Sequence, residues 1–264
     1  MALLSAAAST RNWDEVDRLL KTGKADVNKA DRSGMTCLMW TAQWDNVKIA
    51  RELINQGANV NAASSHGVTP VIFAADGNAR DIVRLLIQHQ ADLEVKSRHG
   101  MSALLTAARS GAAPTLKVLL EGQADVNVKD CGMTALMYAA EEGHADAVQV
   151  LLEHGAAVNF QDRDGQSALI YAAKKNATLR PRHNFAPMVD YIAYTSHLPS
   201  VLELLLMGKA DVAPWKPERA DSRGQPASSS MQELRDRDGK KALDYAGAKS
   251  YHLLESWVNR EALE

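Results

Sequence analysis

A 33-residue repeat is the feature of this 264-residue sequence that most restricts its fold. Five segments that begin at a glycine align with one another, and successive glycines are 33, 33, 32 and 33 residues apart. These leading glycines are Gly34, Gly67, Gly100, Gly132 and Gly165. Such self-similarity is typical of proteins that stack one small supersecondary unit many times, so that neighbouring units bury each other's apolar faces. The sequence therefore predicts a stack of short units instead of a fold built around one central core.

Each unit has the pattern of a turn followed by two short helices. The glycine allows the positive φ of a tight turn, and Thr or Ser two residues later is a favourable helix N-cap. The first helix contains paired small residues such as Ala139 and Ala140, and the second has helical apolar spacing, as at Val148 and Leu151, before a closing Gly155. The predicted N-caps are Thr36, Thr69, Ser102, Thr134 and Ser167.

The repeated residues resemble the ankyrin-repeat family, whose unit is a β-turn plus two helices with the signature Thr-Pro-Leu-His-x-Ala. The copies read, for example, Thr69-Pro70-Val71-Ile72 and Thr134-Ala135-Leu136-Met137, and the signature histidine is absent from every copy. The resemblance implies an all-α ankyrin solenoid of six repeats plus a C-terminal capping repeat. It implies non-catalytic protein recognition, as a scaffold or adaptor, on the concave surface.

The repeat boundaries are predicted within a single ankyrin-repeat domain over residues 1–264. The six repeats are about 1–30, 31–63, 64–96, 97–128, 129–161 and 162–213, and the capping repeat is 236–264. Two insertions lengthen the step from Gly165 to Gly239 to 74 residues. The first, 176–197, has enough apolar content to fold back on the solenoid, whereas 213–235 is rich in Pro, Ser and charge and is predicted to be a mobile loop. Each insertion is either extra length that the fold tolerates or a segment that docks onto a partner.

Composition argues against several classes of partner. A net charge of −2 provides no bulk attraction to nucleic acid or acidic lipid, and the apolar run at residues 2–8 is too short to span a bilayer. Cys37 and Cys131 form neither a disulfide framework nor a zinc quartet. We therefore expect a monomer in a reducing compartment, cytoplasmic or nuclear and not secreted, that binds another protein and neither nucleic acid nor a membrane.

The residues that catalysis needs are not found at recognisable spacing. The glycines are explained by turns and caps, and the eight histidines lack metal-ligand spacing, so we expect no enzyme activity, cofactor or metal. The alternative is a ligand-binding or enzymatic site built on the 176–197 insertion. Its polar candidates are His183, Asp190, Tyr191 and His197.

An aromatic row follows the four signature positions. Of the 14 aromatic residues in the chain, five fall on this one register. The row reads Trp40, Phe73, Thr106, Tyr138, Tyr171 and Tyr245. The resemblance implies that this register lies toward the concave surface. The predicted partner-binding residues are Trp40, Trp44, Phe73, Tyr138 and Tyr171, with possible secondary contacts from Phe185, Tyr191 and Tyr194. The alternative is that the row packs against neighbouring helices.

Two further features concern the repeat edges. Charges at the ends of first helices alternate in sign on successive repeats and are predicted to pair between neighbours. They are Asp76, Arg109, Glu141 and Lys174, with Glu142 beside Glu141. The resemblance also implies that the asparagines of the Val-Asn tails can be hydroxylated by a dioxygenase. These are Asn28, Asn61, Asn127 and Asn159.

Overall fold

The computed structural model of the chain describes residues 3–178, together with residues 201, 204 and 205. The chain divides into two compact units, residues 1–130 and 131–264. The first unit contains α1 (Leu3–Ser9), α2 (Trp13–Lys21), α3 (Cys37–Gln43), α4 (Val47–Asn55), α5 (Pro70–Asp76), α6 (Arg80–Gln88), α7 (Ala103–Arg109), α8 (Ala113–Glu121) and β1 (Lys129–Asp130). The second contains β2 (Met133–Thr134), α9 (Ala135–Glu142), α10 (Ala145–Glu153) and α11 (Ala168–Thr178).

The helices of the first unit form two rows. The first helices of successive repeats, α1, α3, α5 and α7, pack on one another in order, and so do the second helices, α2, α4, α6 and α8. Each first helix also packs on its own second helix. The core between the rows is built from side chains such as Leu38, Leu53, Leu86, Leu104 and Leu119, all fully buried. In the second unit, α9 packs on both α10 and α11 over buried Leu136, Met137 and Val148. The predicted all-α repeat architecture is confirmed for the described residues.

The helix starts follow the predicted capping pattern with one exception. Thr36, Ser102 and Thr134 each accept a hydrogen bond from the backbone N–H three residues later, at 3.3 to 3.4 Å. Thr69 is the N-cap residue of α5, as predicted, but its side chain makes no cap bond: the Ile72 N–H donates to the Thr69 backbone carbonyl at 3.1 Å, and the Thr69 hydroxyl is buried without a partner among the described residues. Pro70 at the first position fixes φ there and pre-organises this helix start by itself.

The turns of successive repeats are joined by backbone hydrogen bonds. The Ser65 N–H donates to the Ser33 carbonyl at 3.0 Å, and the Arg98 N–H donates to the His66 carbonyl at 2.9 Å. The leading glycines all have positive φ, as predicted, and at Gly34 the close approach also demands glycine, since a Cβ there would lie 2.6 Å from the Ser65 backbone nitrogen. The turns thus stack at a distance that side chains at the leading position would prevent.

Asparagines of the Val-Asn tails form a second set of links between repeats. The Asn28 side chain accepts from the Asn59 N–H at 2.7 Å and donates to the Gly57 carbonyl at 3.0 Å. Asn61 repeats the arrangement one unit later, accepting from the Asp92 N–H at 2.9 Å and donating to the Gln90 carbonyl at 3.4 Å. These two side chains therefore have a structural role that the sequence pattern alone did not reveal.

Candidate partner-binding site

The aromatic register of the first unit lies along the first-helix row. Trp40 on α3 and Phe73 on α5 are half-buried, and Thr106 on α7 is buried. The indole nitrogen of Trp40 and the hydroxyl of Thr106 are both buried without a hydrogen-bond partner among the described residues. The row therefore combines packing between helices with partial exposure of its rings. Thr106 belongs to the packing alone, while Trp40 and Phe73 each leave part of a ring accessible.

Trp44 is the most accessible ring of the predicted site. It is the C-cap residue of α3, and its N–H donates to the Trp40 carbonyl at 3.2 Å, which places the two indoles one turn apart. Trp44 is 38% exposed and is the one large hydrophobic side chain in the described part of the chain that is exposed. The guanidinium carbon of Arg11 lies 3.5 Å from the centroid of its ring. A planar cation at this distance interacts favourably with an indole face.

Arg11 is a residue of this site that the sequence analysis missed. It lies between α1 and α2 with φ of 57°, a left-handed conformation. The equivalent positions of later repeats are Asp45, Asn78, Gly111 and Gly143, which also have positive φ. An arginine where the later repeats have Asp, Asn or Gly was a signal available in the alignment, although nothing in the sequence indicated that it would stack on Trp44.

In the second unit, the two tyrosines of the row are both half-buried. The Tyr171 hydroxyl on α11 donates to a carboxylate oxygen of Asp162 at 2.7 Å. Burial, together with this bond to Asp162, raises the pKa of Tyr171 well above its ordinary value. The hydroxyl is thus fixed within the protein, and the ring is the part of Tyr171 available to a partner. Tyr138 lies on α9, at the same register of the preceding repeat.

Glu142, predicted to pair with a charge of a neighbouring repeat, does so with Lys175 of α11. The Lys175 ammonium lies 3.4 Å from a carboxylate oxygen of Glu142, and Lys174 donates to the Gln166 side-chain oxygen at 2.8 Å. Burial, and then the negative charge of Glu142, raises the pKa of Glu141. This edge is therefore largely occupied by its own contacts.

The remaining predicted residues lie outside the described part of the chain. They are Phe185, Tyr191, Tyr194, Tyr245, His183, Asp190 and His197, and the loop 213–235 and the capping repeat 236–264 also lie there.

Within the described residues, no group of three or more His, Cys, Asp or Glu side chains is arranged to hold a metal ion. Both cysteines are free thiols. Cys37 is buried, which raises its pKa to about 12, and Cys131 is exposed. The helices found in this part of the chain are all too short or too polar to cross a membrane.

Comparison with known proteins identifies the repeat. The family model for ankyrin repeats (three copies) matches residues 1–64, 60–130 and 104–193. The chain belongs to the ankyrin-repeat family. Ankyrin repeats are generally protein–protein interaction modules, which makes recognition of another protein the general role of this domain.

Solved structures with the ankyrin-repeat fold resemble the chain over most of its length. A crystal structure of EF0377, an ankyrin-repeat protein, shares 31% identity over 66% of this chain and 92% of its own, with a TM-score of 0.60. The ankyrin-repeat domains of Bcl-3, a member of the IkappaB protein family, and of human ASB11 each share 23% identity and therefore show the fold alone. The Bcl-3 domain has a TM-score of 0.68 over 97% of this chain and 98% of its own. The ASB11 domain has a TM-score of 0.71 over 98% of this chain and 97% of its own. A search of curated protein sequences finds no match.

Proposed function

We propose that the chain is a non-catalytic scaffold or adaptor that binds a partner protein on its first-helix face, the concave face of the family. The contact residues are Trp40, Trp44 and Phe73 in the first unit and Tyr138 and Tyr171 in the second. The observation that carries the proposal is the exposure of Trp44 directly beside the half-buried Trp40. Large aromatic side chains are the favoured anchors of protein interfaces, because one ring buries much apolar area and few rotatable bonds are frozen on binding.

The two indoles have different parts in this proposal. Trp44 is exposed and contributes little to the core, so its removal acts on binding. Trp40 is half-buried between helices, and its truncation also destabilises the fold, since a cavity remains where the ring packed. Trp44→Ala is therefore the informative single variant, and Trp40→Ala is interpreted only together with a stability measurement.

The test is affinity purification with mass spectrometry on the native chain and on Trp44→Ala. Lys117→Ala, an exposed residue on α8 of the second-helix row, is the matched control. We expect a partner captured by the native chain and by Lys117→Ala to be lost with Trp44→Ala, while circular dichroism shows the same helix content in all three. With that partner purified, titration calorimetry should give an affinity loss for Trp44→Ala of about 2 kcal/mol. Equal capture by all three proteins would remove Trp44 from the interface.

The second unit is tested with two substitutions of one residue. Tyr171→Phe removes the hydrogen bond to Asp162 and keeps the ring, whereas Tyr171→Leu removes the aromatic ring. If the ring is the contact, the partner binds Tyr171→Phe normally and Tyr171→Leu weakly. Weak binding by both variants would mean that the Asp162 bond, and not the ring, sustains recognition.

We further place the protein in a reducing compartment, the cytosol or the nucleus, as a monomer. Two free thiols, one buried and one exposed, are the state that such a compartment maintains.

A further inference from the structure

One face of the Arg11 guanidinium is covered by a neighbouring side chain, and the rim that carries its N–H donors is exposed. Its carbon lies 3.5 Å from the centroid of the Trp44 ring, so one surface of the planar group is occupied by the indole. Arg11 is exposed, and in the described part of the chain its side chain has no hydrogen bond or ion pair. A guanidinium carries its five N–H donors around its rim, in the plane perpendicular to the stacking direction. Stacking on Trp44 therefore leaves the donors available.

The backbone holds Arg11 in this position at a conformational cost. Its φ of 57° lies in the left-handed region, which side chains other than glycine rarely adopt. The equivalent residues of later repeats, Asp45, Asn78, Gly111 and Gly143, have φ of 53°, 53°, 69° and 81°, so the junction between the two helices requires this conformation whatever residue occupies it. Asp, Asn and Gly tolerate this conformation better than arginine, and an arginine here is the kind of local strain that is retained where the side chain has a use.

Two carboxylates of α2, the helix that follows Arg11, pair with cations of the same helix. Glu15 pairs with Arg18 at 2.6 Å, and Asp17 pairs with Lys21 at 2.5 Å. Among the described residues no carboxylate pairs with Arg11, so its positive charge is open to a group from outside the chain.

We propose that Arg11, held against Trp44, binds the side-chain carboxylate of an Asp or Glu on the partner protein. Two parallel N–H donors of a guanidinium match the two oxygens of a carboxylate, and the planar group needs little further ordering once it is stacked. The indole beside it offers an apolar surface to the residues flanking that acid. This inference rests on the proposed function and specifies the chemistry of the partner at its first unit.

The experiment is a selection of random peptides displayed on phage against the full 264-residue chain. Selected peptides are then synthesised, and their affinities are measured for the native chain, Arg11→Gly, Arg11→Lys and Trp44→Ala. Arg11→Gly keeps the fold because glycine adopts the required φ without strain, and thermal unfolding verifies this. Arg84→Lys, on α6 in the second-helix row, controls for the change of an exposed arginine.

The expected result is a set of peptides that contain an Asp or Glu and bind Arg11→Gly about tenfold more weakly than the native chain. Replacing that acid with Asn or Gln should weaken binding to the native chain by a similar factor and leave binding to Arg11→Gly unchanged, because the two changes remove one interaction. Arg11→Lys should bind weakly as well, and Arg84→Lys should bind normally.

Two outcomes would overturn the inference. One is that the selection gives no binder that depends on Arg11. The other is that the selected binders depend on Arg11 but on no acidic residue of their own. Binders that are lost with Trp44→Ala and indifferent to Arg11 would leave the proposed function intact and remove this inference alone. Binders whose affinity depends on neither Arg11 nor Trp44 would contradict both this inference and the proposed function.

Discussion

The ionised carboxylate of Asp45 destabilises the fold. Asp45 occupies the left-handed position between α3 and α4 with φ of 53°, and burial, with the charge of Asp81 next in importance, raises the pKa of its carboxyl. Because the folded pKa lies above the ordinary value of 3.8, this group favours folding only while it is protonated. Its ionisation costs stability as the pH rises through the folded pKa.

Asp45→Asn is therefore expected to raise the midpoint of thermal unfolding at neutral pH. Asn also tolerates the left-handed conformation, so the backbone is not disturbed. The gain should shrink as the pH falls through the folded pKa and vanish below 3.8, where the native carboxyl is neutral in both states. Asp76→Asn, an exposed residue ending α5, controls for loss of one surface charge. A gain that persists at low pH would contradict the electrostatic account.

The two cysteines are expected to differ in reactivity. Burial raises the pKa of Cys37 to about 12, so the thiolate that reacts with disulfide reagents is scarce there, whereas Cys131 is exposed. Titration of the native chain with a chromogenic disulfide should show one rapidly reacting thiol and a second that reacts only after denaturant is added. Cys131→Ser should abolish the rapid phase, and Cys37→Ser should leave it. A rapid phase that survives in Cys131→Ser would mean that Cys37 is reached without unfolding.

At the scale of elements, the turns differ in how closely they pack. Gly34 and Gly57 both have positive φ, of 73° and 87°, but a Cβ on Gly34 meets the Ser65 backbone whereas one on Gly57 meets nothing within 4 Å. Gly57→Ala should cost about 1 kcal/mol of unfolding free energy from backbone strain alone. Gly34→Ala should lower the unfolding free energy by about 3 kcal/mol, since the turns of the two neighbouring repeats must also move apart. Denaturant titration measures both, and equal losses would show that the turns do not depend on close approach.

The asparagine links between repeats have their own test. Asn61→Ala removes the bond to the Gln90 carbonyl and the acceptor of the Asp92 N–H, and we expect a loss of about 1 to 2 kcal/mol. Asn55→Ala, at the exposed end of α4, is the matched control and should change stability by less than about 0.5 kcal/mol. If both variants have the same free energy of unfolding, the hydrogen bonds of Asn61 in the fold stabilise it no more than hydrogen bonds to water stabilise the unfolded chain.

For the whole molecule, the first compact unit is expected to fold by itself. Residues 1–130 contain four helix pairs with their own buried side chains, and contacts in a repeat protein are mainly between neighbours. A protein of residues 1–130 should give a helical circular dichroism spectrum and a cooperative loss of that signal on heating. A featureless, gradual loss would show that this unit requires the rest of the chain.

The sequence predicted the helices well because the information that specifies them is local and repeated. A glycine, a capping hydroxyl and apolar residues at helical spacing recur in the same register in five copies, which chance does not produce. At Thr69 the pattern identified the N-cap residue but not its bonding, because Pro70 fixes the helix start and the Thr69 side chain makes no cap bond. The family and its general role in protein recognition followed from the same repeat.

The sequence by itself determined the repeat unit, its two helices and the register of the aromatic row, because each depends on residues a few positions apart. Only the tertiary structure decided what those residues contact. It buried Thr106, bonded Tyr171 to Asp162, linked repeats through Asn28 and Asn61, and set Arg11 over Trp44. These contacts join side chains from different helices and turns, most of them about one repeat apart. Their geometry depends on how neighbouring units stack, which no local pattern records.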